Sequence, residues 1–333
     1  MKGILRALTL GILRATTATA ALTPMQRMRF IGGNRSVGVV AIATATVSAV
    51  LACLLCCLCA VPALAQQPQA TQPDAPRVLT DARLFHPAPR VPQRVWSDSV
   101  PGGVQTISLA GADGVTLRGW LYPGADSNAA WVIAFHGNNG YIADTFTQAR
   151  TALFFGQLGL NVVAFDYRGT GFSDGEISLK LARADALAMF DFAAKKAAGK
   201  PLVVVGWSLG SIFASHVAAS RASVAGLVLL APIASADGLA ASFRAVAPPE
   251  VADGMRNAAE LRGYHNPLLV IHGTRDSVIP IAQGREDYEA AASSDRRFVA
   301  VEEKGHGDGI LSIEADSAIA AFFAKHLAKP VRE

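Results

Sequence analysis

The chain has 333 residues, of which 51% are hydrophobic, and its formal net charge at pH 7 is +4. Residues 1–65 hold six of the 30 Lys and Arg residues and no Asp or Glu, so 24 basic residues face 26 acidic ones in the rest of the chain, a net charge of −2. The basic balance of the whole chain therefore gives no indication of nucleic-acid binding, and no nucleic-acid partner is expected.

Residues 1–65 have the features of an export signal. A basic beginning precedes an uncharged apolar run, residues 37–65, which ends in Ala63-Leu64-Ala65. This ending is typical of a signal-peptidase site, so we expect cleavage after Ala65 and a periplasmic or extracellular protein. Two alternatives stay open. Residues 37–65 are long enough for a membrane anchor, which takes roughly 20 residues, and Cys53 follows an imperfect lipobox that would attach a lipid.

The cysteines and the following segment support this division of the chain. All four cysteines lie in the leader, at positions 53, 56, 57 and 59, which favours an apolar export segment over a metal cluster. Met28 is an alternative start that would shorten the basic region. Residues 66–95, rich in Pro, Gln and Ala, are typical of a disordered linker. Residues 96–330 are expected to form the folded domain, which at roughly 230 residues needs no disulfides.

In the folded part, apolar runs of strand length alternate with segments of helical spacing. Residues 104–110 and 115–121 are expected to pair as an antiparallel hairpin. Further strands are expected at 131–135, 161–166, 202–206, 226–231, 267–271 and 297–302, and helices at 141–158, 179–198, 209–221, 281–292 and 314–328. The alternation predicts an α/β fold with a doubly wound, mostly parallel sheet of eight strands.

A glycine-flanked serine lies between one of these strands and the next helix. The motif Gly206-Trp207-Ser208-Leu209-Gly210 follows the apolar run 202–205 and precedes a helical segment. A sharp strand-to-helix turn exposes its central side chain, and the glycines permit close packing around it. Ser208 is therefore the candidate nucleophile. It adjoins a helix N-terminus, whose backbone N–H groups stabilise negative charge.

A serine hydroxyl needs a base, and the base needs an acid that orients it. Strand 267–271 leads into a loop that contains Asp276, and strand 297–302 leads into a glycine-flanked His306. Loops at the carboxyl ends of parallel strands meet at one edge of the sheet, so we expect Ser208, Asp276 and His306 to form a catalytic triad. Asp237, after the preceding strand, is the alternative acid. Three other residues are expected to have structural roles: His272 as a packed strand-end residue, His216 as a helix residue that faces away from the serine turn, and Asp308 as a surface or helix-capping residue.

Acyl transfer also needs hydrogen-bond donors for the oxyanion. The backbone N–H of Leu209, the residue after the serine, is one candidate. The second is the N–H of Asn138, in the loop His136-Gly137-Asn138-Asn139-Gly140 after strand 131–135. No cofactor and no metal are expected, since the sequence offers neither a metal-ligand spacing nor a phosphate-binding loop.

Together these motifs resemble the α/β-hydrolase superfamily, in particular its serine-aminopeptidase-like and monoglyceride-lipase-like enzymes. The run Asp166-Tyr167-Arg168-Gly169-Thr170-Gly171-Phe172-Ser173, a structural hallmark of these enzymes, extends the likeness. The resemblance implies the α/β-hydrolase fold. It also implies that an insertion at about residues 233–265 forms the cap, for which one or two short helices over Ser208 are expected.

The expected function is hydrolysis of a carboxylic ester or thioester through an acyl-enzyme on Ser208. The expected partner is a small-molecule acyl ester, lipids among the candidates, and the leader gives a route to membrane association. The same triad permits peptidase or amidase action. A non-catalytic binding protein on this fold is the alternative from another class.

Overall fold

The computed structural model describes residues 77–85, 100, 103–126, 128–138, 140–144, 147 and 154–327. The export signal expected at residues 1–65 and the first part of the expected linker lie outside the described residues. Within the described part of the chain, no helix is both long enough and apolar enough to cross a membrane.

The described elements follow one another in the expected alternation. The strands are β1 (Arg77–Val78), β2 (Gln105–Ala110), β3 (Thr116–Tyr122), β4 (Trp131–Phe135), β5 (Asn161–Phe165), β6 (Leu202–Trp207), β7 (Gly226–Leu230), β8 (Ala245–Val246), β9 (Leu268–Gly273) and β10 (Arg296–Val301). The helices are α1 (Asp81–Phe85), α2 (Leu179–Ala197), α3 (Gly210–Ser220), α4 (Ala236–Ser242), α5 (Pro249–Gly254), α6 (Asn257–Leu261), α7 (Ile281–Ala290), α8 (His306–Ile310) and α9 (Ile313–Leu327).

Eight strands form one sheet in the order β10-β9-β7-β6-β4-β5-β3-β2. Strand β3 is antiparallel to both of its neighbours, and the other pairings in this sheet are parallel. The chain passes from β4 to β5 on one side and then to β6 on the other, so the winding direction reverses between β4 and β6. Open α/β sheets bind ligands outside the carboxyl ends of the strands at such a reversal. The predicted fold class is confirmed.

Both faces of the sheet are covered, which explains why its central strands are continuous apolar runs. Every residue of β4, β6 and β7 is buried. On one face the core includes Phe190 of α2 and Phe213 of α3, and on the other it includes Phe323 of α9. The buried central strands thus fix the starting points of the loops at their carboxyl ends.

The predicted helix at 141–158 begins later than expected. Residues 141–144 form a turn, which the Asp144 carboxylate closes by accepting from the N–H groups of Tyr141 at 2.8 Å and Thr147 at 3.0 Å. Residue 147 is helical, and Asp144 accepts the Thr147 N–H as a residue that caps a helix N-terminus does. Much of the remaining predicted helix lies outside the described residues.

The cap contains more elements than expected. Three short helices, α4, α5 and α6, replace the one or two predicted at about residues 233–265, and the short strand β8 lies between the first two. Ser235 caps the first of them through its side chain. Pro248 is extended and Pro249 occupies the first turn of α5, so the proline pair starts a new helix and prevents a continuous one.

The expected disordered linker, residues 66–95, is partly ordered, which corrects the prediction for residues 77–85. We call residues Arg77–Phe85 the N-terminal strap. Its strand β1 pairs in parallel with β8 of the cap, and its Leu84 and Phe85 side chains are buried in the main core. Burial of these apolar side chains outweighs the cost of ordering the segment. The folded unit therefore begins before residue 96.

Candidate active site

The candidate nucleophile sits at the apex of the turn between β6 and α3. Ser208 has a φ of 51°, a left-handed conformation that costs a non-glycine residue on the order of 1 kcal/mol. Its N–H donates to Leu230 O at 2.9 Å, and its carbonyl accepts from the Ser211 hydroxyl at 2.6 Å. These bonds hold the strained turn in place. Ser211 was not singled out in the sequence analysis, because only its contacts reveal its role.

The flanking glycines are required by close backbone approach. A Cβ at Gly206 would lie 2.5 Å from Gly210 O, and a Cβ at Gly210 would lie 2.1 Å from Phe135 O. Contacts this short do not occur in real structures, so neither position accepts a larger side chain without movement of the backbone. The turn therefore packs directly against the end of β4, where the predicted oxyanion loop begins.

The structure brings together the three side chains predicted to act as a triad. His306 Nε2 lies 3.0 Å from Ser208 Oγ, and His306 Nδ1 lies 2.7 Å from Asp276 Oδ2. The imidazole is the first residue of the short helix α8, not part of an open loop as expected. In this arrangement Nδ1–H donates to the carboxylate, which leaves Nε2 free to accept the serine proton.

Asp276 is held as an ionised acceptor. Its Oδ1 accepts from the N–H groups of Val278 at 2.9 Å and Ile279 at 2.8 Å. Burial by itself would raise the pKa of Asp276, but hydrogen bonds from His272 and His306, together with the Ile279 N–H, outweigh it and hold the pKa well below its usual range. The carboxylate therefore stays charged and fixes the orientation of the His306 ring.

The candidate oxyanion donors line the cavity that contains the serine. Asn138 and Leu209 line the same cavity as Ser208 and His306. Among the described residues, the N–H groups of Asn138 and Leu209 have no hydrogen-bond partner, as expected for donors that face a ligand. The N–H of Leu209 also adjoins the N-terminus of the 11-residue helix α3, where the helix dipole favours negative charge.

Buried aromatic and polar groups hold the loop that carries Asn138 in place. The Tyr167 hydroxyl donates to His136 O at 2.7 Å, and the two rings pack with centroids 4.3 Å apart and planes inclined by 37°. Burial lowers the pKa of His136, which favours a neutral ring. Asp166 anchors the neighbouring turns by accepting from Ile142 N–H at 2.7 Å and Phe172 N–H at 2.8 Å. Burial raises the pKa of Asp166 to about 7.

Two cavities meet at Ser208. The larger has a volume of about 480 Å³ and a mostly apolar wall, to which the strap contributes Leu79 and Leu84 and the cap contributes Leu239. The smaller has a volume of about 240 Å³ and extends past Gly137 and Trp207. Ser208, His306 and Asn138 line both cavities. A ligand with its central group at Ser208 could therefore place one part in each cavity.

The remaining candidates from the sequence lie away from the serine. Asp237, the alternative acid, is exposed in the first turn of α4 and makes no contact with His306 in the described structure. His272 donates through Nε2 to Ile279 O at 2.8 Å and packs beside Asp276, as expected of a strand-end residue. Asp308 accepts from Gly305 N–H at 2.7 Å and so caps α8. His216 faces Arg183 and Glu260, away from the turn.

Comparisons with known proteins agree with this architecture. Residues 126–248 match the family model described as serine aminopeptidase, S33. The uncharacterised protein Rv2307c of Mycobacterium tuberculosis is 31% identical over 217 residues, which cover 64% of this chain and 75% of that protein. The mouse lysophosphatidylserine lipase ABHD12 is 29% identical over 196 residues, which cover 53% of this chain and 48% of that protein.

Solved structures share the fold at lower sequence identity. An esterase from Pyrococcus furiosus superposes with a TM-score of 0.60 at 20% identity, over 73% of this chain and 98% of that one. Est1E from Butyrivibrio proteoclasticus, solved with ferulic acid bound, superposes with a TM-score of 0.58 at 20% identity, over 67% of this chain and all of that one. Its doubly wound sheet, its strained serine turn and these relatives place the chain in the α/β-hydrolase superfamily.

Proposed function

We propose that this protein is a serine hydrolase that cleaves carboxylic esters, thioesters included, through an acyl-enzyme intermediate. The observation that carries the proposal is the unbroken hydrogen-bond chain from Asp276 through His306 to Ser208 at the junction of two cavities. A hydroxyl, an imidazole and a carboxylate in contact provide the nucleophile, the base and the orienting acid that acyl transfer requires.

In the first half-reaction, Ser208 Oγ attacks the substrate carbonyl carbon while its proton moves to His306 Nε2. The carbonyl oxygen becomes an oxyanion, which the N–H groups of Leu209 and Asn138 stabilise. When the tetrahedral intermediate collapses, the bond to the leaving alcohol breaks and the alcohol takes the proton from His306. Asp276 stabilises the imidazolium throughout without receiving its proton.

In the second half-reaction, water replaces the alcohol. His306 removes one proton from the water as its oxygen attacks the acyl carbon. Collapse of this second intermediate releases the carboxylic acid, and the proton on His306 returns to Ser208 Oγ. The cycle leaves the enzyme unchanged and requires only the ester and water.

The cavity and the relatives support an ester of apolar character as the substrate. The larger cavity is lined mainly by aliphatic side chains, and its volume of about 480 Å³ falls within the range of small-molecule sites. The mouse relative is named a lysophosphatidylserine lipase, and the superposed Pyrococcus furiosus protein is named an esterase. The name of the family model keeps peptidase action as the second candidate, since its members include aminopeptidases.

The experiment that tests the proposal measures hydrolysis of p-nitrophenyl esters of increasing acyl length beside aminoacyl p-nitroanilides. We expect the esters to be cleaved and Ser208→Ala to reduce kcat by at least about 10³-fold. The matched control is Ser220→Ala, an exposed serine at the end of α3, which should keep full activity. A serine-reactive fluorophosphonate should label the wild type and the control but not Ser208→Ala.

Two outcomes would contradict the proposal. Cleavage of the anilides alone would make the protein a peptidase or amidase on the same side chains. Absence of both hydrolysis and fluorophosphonate labelling in the folded protein would favour a binding protein on this fold.

We further propose that the hydrolase is exported, with cleavage of the leader after Ala65. This proposal rests on the apolar run and the Ala63-Leu64-Ala65 ending, which lie outside the described residues. Retention of residues 37–65 as a membrane anchor and lipid attachment at Cys53 are the competing outcomes.

A further inference from the structure

The larger cavity beside Ser208 has an unusual charge distribution for an otherwise aliphatic pocket. Two arginines, Arg77 and Arg83, line it, and the lining contains no Asp or Glu. Both arginines come from the N-terminal strap, the segment that the sequence suggested was a linker. The positive charge of this cavity therefore comes from a segment other than the loops that carry the triad.

The strap holds both arginines in place relative to the serine. Arg77 pairs with Ala245 in the two-stranded sheet formed by β1 and β8, and Leu79 N–H donates to Val246 O at 3.0 Å. Arg83 lies on α1, and its Nη1 donates to Val78 O at 2.9 Å. Burial of Leu84 and Phe85 fixes the other end of the segment, so the cations are attached to a packed element.

Neither arginine is neutralised by a neighbour. Within the described residues, no carboxylate forms an ion pair with Arg77 or Arg83. The acidic residue between them, Asp81, accepts from the Leu179 N–H at 2.9 Å and so is committed to the start of α2. Both guanidinium-bearing residues are exposed. Two positive charges thus remain available to a ligand in this cavity.

The second cavity at Ser208 lacks such cations. Its lining contains no Lys or Arg among the described residues. A negatively charged part of a substrate is therefore attracted to the cavity that contains the arginines. Guanidinium groups also match carboxylate and phosphate oxygens in geometry, because their planar N–H donors form paired hydrogen bonds.

We propose that Arg77 and Arg83 select esters that carry an anionic group, a carboxylate or a phosphate, attached to an apolar segment. The apolar segment occupies the aliphatic wall of the larger cavity, and the anion binds the two guanidinium groups at its exposed side. This inference rests on the proposed ester hydrolysis and adds the substrate class. The two arginines are specificity residues, and they take no part in proton transfer.

The test uses two pairs of substrates that differ by one anionic group. Mono-p-nitrophenyl suberate is compared with p-nitrophenyl octanoate, which places the anion on the acyl side. Monolauroylglycerol phosphate is compared with monolauroylglycerol, which places it on the alcohol side. The enzymes are the wild type, Arg77→Gln, Arg83→Gln, the double variant, and Arg262→Gln, whose exposed arginine lies outside both cavities.

We expect the wild type to prefer the anionic member of at least one pair. The double variant should lower kcat/KM for that substrate about tenfold, chiefly through KM, because two exposed charge contacts are lost. The neutral member should change less than about twofold, and Arg262→Gln should match the wild type. Higher ionic strength should reduce the preference of the wild type, since salt screens exposed charges.

The outcomes separate this inference from the function on which it rests. If the wild type cleaves the neutral esters but the ratio of anionic to neutral kcat/KM is the same in the double variant for both pairs, the role of the arginines is wrong and the esterase proposal stands. If the folded wild type cleaves no ester, both proposals fail. Wild-type kcat/KM for both members of each pair in Arg262→Gln shows that loss of an arginine outside both cavities leaves the site intact.

Discussion

At the scale of single residues, the acid of the site is distinguished by its contacts and not by its position in the sequence. Asp276 and Asp237 both follow strands of the sheet, but only Asp276 reaches His306, at 2.7 Å. Asp276→Asn should therefore lower kcat for esters by about 10³-fold or more, because the ring loses the acceptor that fixes its tautomer. Asp237→Asn, an exposed control, should stay within twofold of wild type, on the order of the usual surface effect. The reverse order in a kinetic assay would place the acid in the cap.

The low pKa of Asp276 also makes a prediction about stability. Its pKa in the folded protein lies below the ordinary value of 3.8, so the ionised carboxylate stabilises the fold above about pH 4. That contribution shrinks as the pH falls below 3.8, where the unfolded carboxylate takes up a proton, and it is gone once the pH has fallen through the lower, folded-state pKa, where the native carboxylate is protonated as well. The difference in unfolding free energy between wild type and Asp276→Asn should be constant near neutral pH and shrink in acid.

Urea unfolding at a series of pH values from neutral to about pH 3 measures this difference. Asp237→Asn serves as the control, since its carboxyl is exposed and its effect should not depend on the Asp276 contacts. A gap between wild type and Asp276→Asn that stays the same down to the lowest pH would mean that the hydrogen bonds to Asp276 do not favour its ionised form.

At the scale of elements, much of the site could be predicted because each of its loops can be identified from a short run of consecutive residues. The serine turn needs glycines at 206 and 210, and the sequence has them at both positions. Asp276 and His306 follow apolar runs that end at the same edge of a parallel sheet. Local patterns therefore indicate which loops meet, although the hydrogen-bond distances follow only from the folded structure.

The N-terminal strap shows where such local patterns fail. Its nine residues are surrounded by Pro, Gln and Ala, which are typical of a linker, and they have no periodicity long enough to indicate an element. Its partners lie far along the chain: Phe85 packs on Tyr167 and Phe213, with ring centroids 6.0 and 6.2 Å away. Contacts over such separations leave no local signal, so the contribution of Arg77 and Arg83 to the site was missed as well.

Docking of the strap can be tested at Phe85, which is 1% exposed. Phe85→Ala removes a buried ring and should destabilise the protein by about 3 kcal/mol in denaturant unfolding. Val78→Ala, on the same strap but 40% exposed, should cost less than about 1 kcal/mol. Because Tyr167 holds the His136 carbonyl, Phe85→Ala should also reduce esterase activity. Equal effects of the two substitutions on stability would show that the strap does not pack on the core.

At the scale of the whole molecule, charge is distributed unevenly between residues 1–65, the proposed leader, and the rest of the chain. The leader carries six cations and no acid, whereas the remaining chain has a small excess of acidic residues. Export signals use such a basic start to orient the apolar run in the membrane. The net charge of the full chain is thus a property of the leader and says nothing about the surface of the hydrolase.

This division leads to a prediction about Ala65, the residue before the proposed cleavage site. Signal peptidase requires small residues at Ala63 and Ala65, and Pro62 keeps the preceding residue out of a helix. Ala65→Lys should therefore block cleavage and leave the protein in the membrane fraction. The retained protein should still hydrolyse esters, because residues 66–76 separate the leader in sequence from the strap, which begins at Arg77. Ala70→Lys, within the following segment, is the matched control and should leave cleavage unchanged. N-terminal sequencing of the exported wild type should give Gln66. A lipid-bearing start at Cys53 would instead establish a lipoprotein, and an intact leader in the wild-type membrane fraction would establish a signal anchor.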